Sequence, residues 1–217
     1  MKTNTRTHWL RSAFFALLAL GTALPLQAAN NDNWRFQVLL DDKPIGQHNF
    51  TVTHNNGQTQ ISNSARFAVK FLGFTAYTYQ HNDTEVWQNN CLSSMQANTN
   101  DNGEQLVVKA QRNGNILSVN TGKTDKTHTG CQRSFAYWNL AHMKSPQLLN
   151  SQTGELVATR LQAMGTETIT ASGQSVPAQR YRLTGKDIQI DLWYSAQNRW
   201  LGLESLKDGR RIRYVLQ

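Results

Sequence analysis

LSSMQANTNDNGEQLVVKAQRNGNILSVN, residues 92–120, decides the fold. Two runs within it, Leu92 to Asn100 and Glu104 to Arg112, flank the dipeptide Asn102-Gly103. Asn-Gly is one of the strongest short hairpin signals, because both residues tolerate the positive φ that a tight two-residue turn demands. Asn113-Gly114 then leads into Ile116–Asn120 and reads as a second hairpin of the same type. Three consecutive antiparallel strands are therefore written into 29 residues.

The same grammar extends in both directions. Upstream, Trp34–Leu40 ends at Asp41-Asp42-Lys43-Pro44, Ile45–His54 ends at Asn55-Asn56-Gly57, and the long runs Gln58–Lys70 and Thr75–Trp87 are split by Leu72-Gly73. Downstream, Glu155–Ala163, Thr166–Ala171, Val176–Thr184, Ile188–Tyr194, Trp200–Leu206 and Arg211–Leu216 are separated by short turns such as Ser172-Gly173, Gly185-Lys186, Gln197-Asn198 and Asp208-Gly209. The hydrophobic period is two nearly throughout, and short turns force antiparallel neighbours. The middle differs. Gly122–Gly130 reads as a polar loop, Ser134 as the cap of a short helix over Phe135–Leu140, and Gln147–Asn150 as a further helical turn.

A meander of about ten or more strands does not stay flat. The expected fold is all-β: a highly curved antiparallel sheet, closed as a barrel, open as a half-barrel or folded as a sandwich, with one short helix packed against it. Its concave face is expected to be apolar.

The N-terminus supplies a compartment. Lys2, Arg6 and Arg11 precede an apolar run from Ala13 to Leu24, and Leu26-Gln27-Ala28 fits the small-residue pattern of a signal peptidase site. Residues 1–28 thus read as a signal peptide, and residues 29–217 as a single exported, periplasmic β-rich domain. Its 189 residues (217 less 28) suffice for a core, and the formal charge falls from +8 to +5 with the three basic leader residues. That bias suits an anionic envelope component as well as plain solubility, and no basic run is long enough for a nucleic-acid arm.

Two cysteines, Cys91 and Cys131, read first as one disulfide in an oxidising compartment. Closing such a loop contributes about 4 kcal/mol in the chain-entropy model. The competing reading is a thiolate at Cys131 served by nearby His128, with Asp125 three residues before it.

Candidate binding residues are few. Phe135, Tyr137, Trp138 and His142 form the densest aromatic segment and suit either helix packing or the wall of a hydrophobic ligand site. Arg180 and Arg182 alternate with Tyr181 and Leu183, as Arg211 and Arg213 do with Ile212 and Tyr214; cross-strand ion pairs with Asp191 and Glu204 or a strip for an anionic head group would both explain them. Glu85, next to Val86, is expected on the solvated face. The five histidines after the leader show no metal-ligand spacing, and no hydrolase, zincin or phosphate-loop motif occurs, so no metal or cofactor is expected.

Pro44-Ile45-Gly46, Thr84-Glu85-Val86-Trp87, Phe135-Ala136-Tyr137-Trp138-Asn139, Asp208-Gly209 and Tyr214-Val215-Leu216 resemble an uncharacterised family of secreted Gram-negative bacterial proteins, a domain of unknown function. The resemblance implies a periplasmic location and a β-rich fold and transfers no catalytic residue. The curved sheet with a helix on it is also similar to the half-barrels of periplasmic lipoprotein carriers, by fold analogy alone. The function expected is non-enzymatic binding of an apolar or amphipathic ligand, a lipid among the candidates, in the concave face. The alternatives are an envelope-acting enzyme using Cys131, His128 and Glu85, and an assembly factor that binds a protein partner at a sheet edge.

Overall fold

The computed structural model describes Met1 and residues 30–71, 74–207 and 209–217. The leader reading, the Leu72-Gly73 turn and Asp208 of the last turn lie outside these residues.

One antiparallel sheet of 14 strands forms the body. The first eight are β1 (Asn30–Leu40), β2 (Lys43–Asn55), β3 (Gln58–Phe71), β4 (Phe74–Gln88), β5 (Cys91–Asp101), β6 (Glu104–Asn113), β7 (Ile116–Asn120) and β8 (Asp125–Thr129). After a four-residue helix, α1 (Leu140–Met143), come β9 (Gln147–Leu149), β10 (Leu156–Ala171), β11 (Gln174–Gly185), β12 (Ile188–Tyr194), β13 (Trp200–Lys207) and β14 (Arg210–Leu216). The strand order is β8 through β1, then β14 down to β9. Two meanders thus meet where the first strand pairs with the last, Phe36 opposite Leu216 and Val38 opposite Tyr214. The sheet is not closed by strand pairing; β8 and β9 are its two edges.

Residues 130–146 connect those edges. Cys91 and Cys131 form a disulfide, which ties the start of this crossover to β5. At its far end the Leu149 N–H donates to the Arg133 carbonyl at 2.7 Å, and Ser134 bridges Leu149 in parallel. Tyr194 Oη donates to the Tyr137 carbonyl at 2.8 Å. The crossover is therefore pinned to both meanders, and its aromatic residues pack on the core.

The strands follow from alternation. On β1, Trp34, Phe36 and Val38 are buried, and on β2, Phe50 and Val52. The Phe36 ring packs tilted against Trp200, centroids 4.3 Å apart, and the Trp200 ring also meets Phe50 and Tyr137. Asn102 and Gly103 take φ of 50° and 100°, as the hairpin reading requires. At the next turn the central residues are Gly114 and Asn115, and of these Gly114 alone has a positive φ, so the second hairpin is of a different type. Gly46 is needed for another reason: a Cβ there would overlap the carbonyl oxygen of Arg66 on β3.

Three local expectations fail. The helix starts at Leu140 instead of Phe135, because the Asn139 side chain accepts from the Ala141 and His142 amides; Ser134 serves the bridge to Leu149 instead of a cap. Gln147–Leu149 is strand β9, since its amides and carbonyls find β10. Asp125–Thr129, expected as loop, is edge strand β8, recruited by β7 despite its polarity. In addition, Glu155–Ala163 and Thr166–Ala171 are one strand, β10, with a bulge between Ala163 and Gly165.

Candidate functional site

Strand β4 carries the chemistry. Its odd positions, Tyr77, Tyr79, His81, Asp83, Glu85 and Trp87, face inward, and from His81 to Trp87 all four are buried. Glu85 is only 4% exposed, which overturns its expected place on the solvated face. The parity is set by the large aromatic Trp87, whose ring must be covered, and not by Val86, which the sheet leaves half-exposed.

The register supplies each acid's neighbours. Glu85 lies between Ile61 on β3 and Met95 on β5; Asp83 lies between Asn63 and Ala97. Glu85 thus has apolar neighbours on both flanking strands, and the Trp87 indole donates to its Oε2 at 2.8 Å. Burial first, then the charge of Asp83, push its pKa from 4.5 up to about 8. The pair cannot readily hold two charges, so Glu85 is the member that keeps a proton at neutral pH. Among the described residues Asp83 Oδ1 has no hydrogen-bond partner, and Oδ2 stands 3.8 Å from His81 Nε2.

These groups open into a cavity of about 300 Å³ on the concave face. Phe50, Ile61, Phe135, Tyr137, Trp138 and Ile190 form much of its apolar wall. Asp83, Glu85, His81, His48, Asn63, Tyr79, Ser151 and Gln152 form its polar side. The concave face is therefore mixed, not apolar as expected. His48 stacks on Phe50 with ring centroids 4.1 Å apart and meets Tyr214 Oη at 3.2 Å; burial lowers its pKa to about 3, so it is neutral. Burial likewise raises the phenols of Tyr79, Tyr137 and Tyr214, which stay protonated. Tyr79 Oη donates to Gln152 Oε1 at 3.1 Å, and Gln152 in turn donates to Asp101, so the rim is fixed by hydrogen bonds.

His81 also meets Ser151 Oγ at 3.3 Å through Nε2 and Thr99 Oγ1 at 2.8 Å through Nδ1. A serine and an imidazole in contact suggest a nucleophile and its base. Here Nδ1 faces a neutral hydroxyl, whereas hydrolytic triads place a carboxylate there to stabilise the imidazolium. The arrangement orients His81 more than it activates Ser151.

Of the residues expected at a binding site, Phe135, Tyr137 and Trp138 line the cavity. His142 lies behind it, stacked on Trp87 at 4.3 Å and edge-on to Trp138; burial, then the charge of Arg133, lower its pKa to about 4. Arg180 and Arg182 are elsewhere. They alternate on β11 with Tyr181 and buried Leu183; Arg182 lies opposite Asp191 on β12 and Arg180 opposite Trp193, and both donate to Asp191. Cys131 holds no thiol, since its sulfur is bonded to Cys91, so the Cys131, His128 and Glu85 set lacks its nucleophile. The sequence reading did not single out Tyr79, His81, Asp83 or His48 as site residues. Their signal was parity: Tyr77, Tyr79 and Trp87 share it with both acids. Among the described residues, no group of three or more metal-ligating side chains converges.

The fold has a solved counterpart. The crystal structure of a beta-barrel-like protein of the domain of unknown function DUF1849 from Brucella abortus superposes with a TM-score of 0.61 at 8% identity, covering 85% of this chain and 94% of that one. At that identity the likeness is one of fold alone. No curated protein matches the chain in sequence. The family model of a domain of unknown function, DUF6134, matches residues 36–217, nearly the whole β-rich body, and the chain belongs to that family.

Proposed function

We propose that this is an exported, periplasmic protein that binds an apolar or amphipathic ligand, a lipid chain included, inside the open barrel without chemically changing it. One observation carries the reading: the crossover presses Phe135, Tyr137 and Trp138 over the concave face and leaves about 300 Å³ between them and β2, β3 and β4. That volume is at the lower end of small-molecule sites, about 300–1,000 Å³, and suits a compact molecule or one end of a longer chain. The disulfide accords with an oxidising compartment. Binding at a sheet edge has less support: β8 and β9 are five and three residues long, and the backbone of Arg133 already meets β9.

Native mass spectrometry of protein released from the periplasm should show a co-purifying ligand. Calorimetry with octan-1-ol should then give saturable binding, weakened about tenfold by Trp138→Ala at a temperature where the variant is folded. Absence of any bound species together with no heat from alcohol, fatty acid or amine would overturn the reading.

A further inference from the structure

The polar side of the cavity has a definite sign. Two carboxyl groups, Asp83 and Glu85, enter it, and among the described residues no Lys or Arg lines it, although the chain as a whole is basic. The nearest imidazoles do not neutralise the pair through a close bond: His81 Nε2 is 3.8 Å from Asp83, and His48 is engaged by Tyr214 and Asn63. Asp83 has only 2% of its side chain exposed, yet among the described residues its Oδ1 has no donor. A buried carboxylate oxygen without a partner is costly and is ordinarily satisfied by a donor. Aromatic rings surround the same space, Phe50, Tyr79, Phe135, Tyr137, Trp138 and Tyr214. Ring faces attract cations and do not favour carboxylates.

Resting on the ligand-binding reading above, we infer that the cavity takes the amine or ammonium head of an amphipathic ligand, with Asp83 as its direct partner and the aromatic wall around its carbons. Anionic head groups are disfavoured there by the Asp83 carboxylate and by the lack of any lining Lys or Arg among the described residues. A positive group there would give Asp83 Oδ1 the donor that the described residues do not supply. Arg180 and Arg182 play no part, since both are committed to Asp191.

Three probes with the same hydrocarbon chain separate head-group chemistry from apolar burial: octylamine, octan-1-ol and octanoate, titrated into the folded protein at neutral pH. Octylamine should bind about tenfold or more tighter than the alcohol, and octanoate about tenfold or more weaker. Asp83→Asn should bring octylamine down to the alcohol's affinity and leave the alcohol within about threefold. Equal affinity for amine and alcohol, tighter binding of octanoate, or an amine preference that persists in Asp83→Asn overturns the assignment while leaving ligand binding intact. Failure of all three probes to bind overturns the assignment, and joined with the absence of any co-purifying ligand it overturns both. The ranking on the unmodified protein decides the matter even where the variant does not fold.

Discussion

Strands β1 and β4 obey the same alternation and do opposite things with it. On β1 the inward residues Trp34, Phe36 and Val38 fill the centre of the sheet, sealed by Trp200 and Phe50. On β4 the inward residues His81, Asp83 and Glu85 are as deeply buried, yet they are ionisable, and Asp83 Oδ1 has no partner among the described residues. Burial alone thus does not mark a core. A strand that hides charge against an aromatic wall gives up stability for a site, because desolvating an acid is unfavourable unless something pairs with it.

The largest expected effect tests the β1 side of this contrast. Phe36→Ala should cost about 3–5 kcal/mol in chemical denaturation, since the ring is fully buried and its neighbours are large and fixed. A loss below about 1 kcal/mol would show that the centre of the sheet collapses freely, and the contrast with β4 would weaken.

Glu85→Gln sharpens the other side. A carboxyl whose folded pKa is raised from 4.5 to about 8 favours the fold fully below pH 4.5, and that contribution is lost as pH rises through about 8. His48 and His142, lowered from 6.5 to about 3 and about 4, act in the reverse sense: their contribution is present above pH 6.5 and lost as pH falls toward those values. Thermal stability of the unmodified protein should therefore decline on both sides of mildly acidic pH. Glu85→Gln should remove most of the alkaline decline and gain about 1–3 kcal/mol at its upper end, with the acidic limb unchanged. Parallel pH profiles for the two proteins would mean that Glu85 carries no raised pKa.

The smallest effect belongs to the arginines of β11. Arg182→Ala should cost about 1 kcal/mol, because Asp191 is buried but keeps its bond from Arg180, and should leave ligand affinity unchanged, since neither Arg182 nor Asp191 lines the cavity. A loss of binding would restore the arginine strip as part of the site.

Much of the fold was legible because its signals are local. Asn102-Gly103 announces a turn through the φ values the two residues accept, and Ile116–Asn120 and Ile188–Tyr194 have the bounds that alternation indicates. Phe135, Tyr137 and Trp138 stood out as the densest aromatic segment, which suits helix packing as well as a ligand wall; the crossover places them beside the cavity. The site's polar half was misread at Glu85 for a specific reason. Val86 is apolar and β-branched, a natural inward residue taken alone, and only the partners across the sheet favour Trp87 and its parity. Polar strand β8 and three-residue β9 escaped because neither has enough pattern of its own; each is a strand by virtue of its neighbour.

The sequence by itself determined an antiparallel, period-two chain with tight turns, since both depend on residues a few positions apart. It also determined which two cysteines were available to pair. Only the tertiary structure decided that β1 meets β14, that residues 130–146 cross between the sheet's edges, and that Asp83 and Glu85 face an aromatic wall from that crossover. Those outcomes depend on contacts between residues distant in the chain, and so does the proton on Glu85, because a pKa is a property of the surroundings and not of the residue.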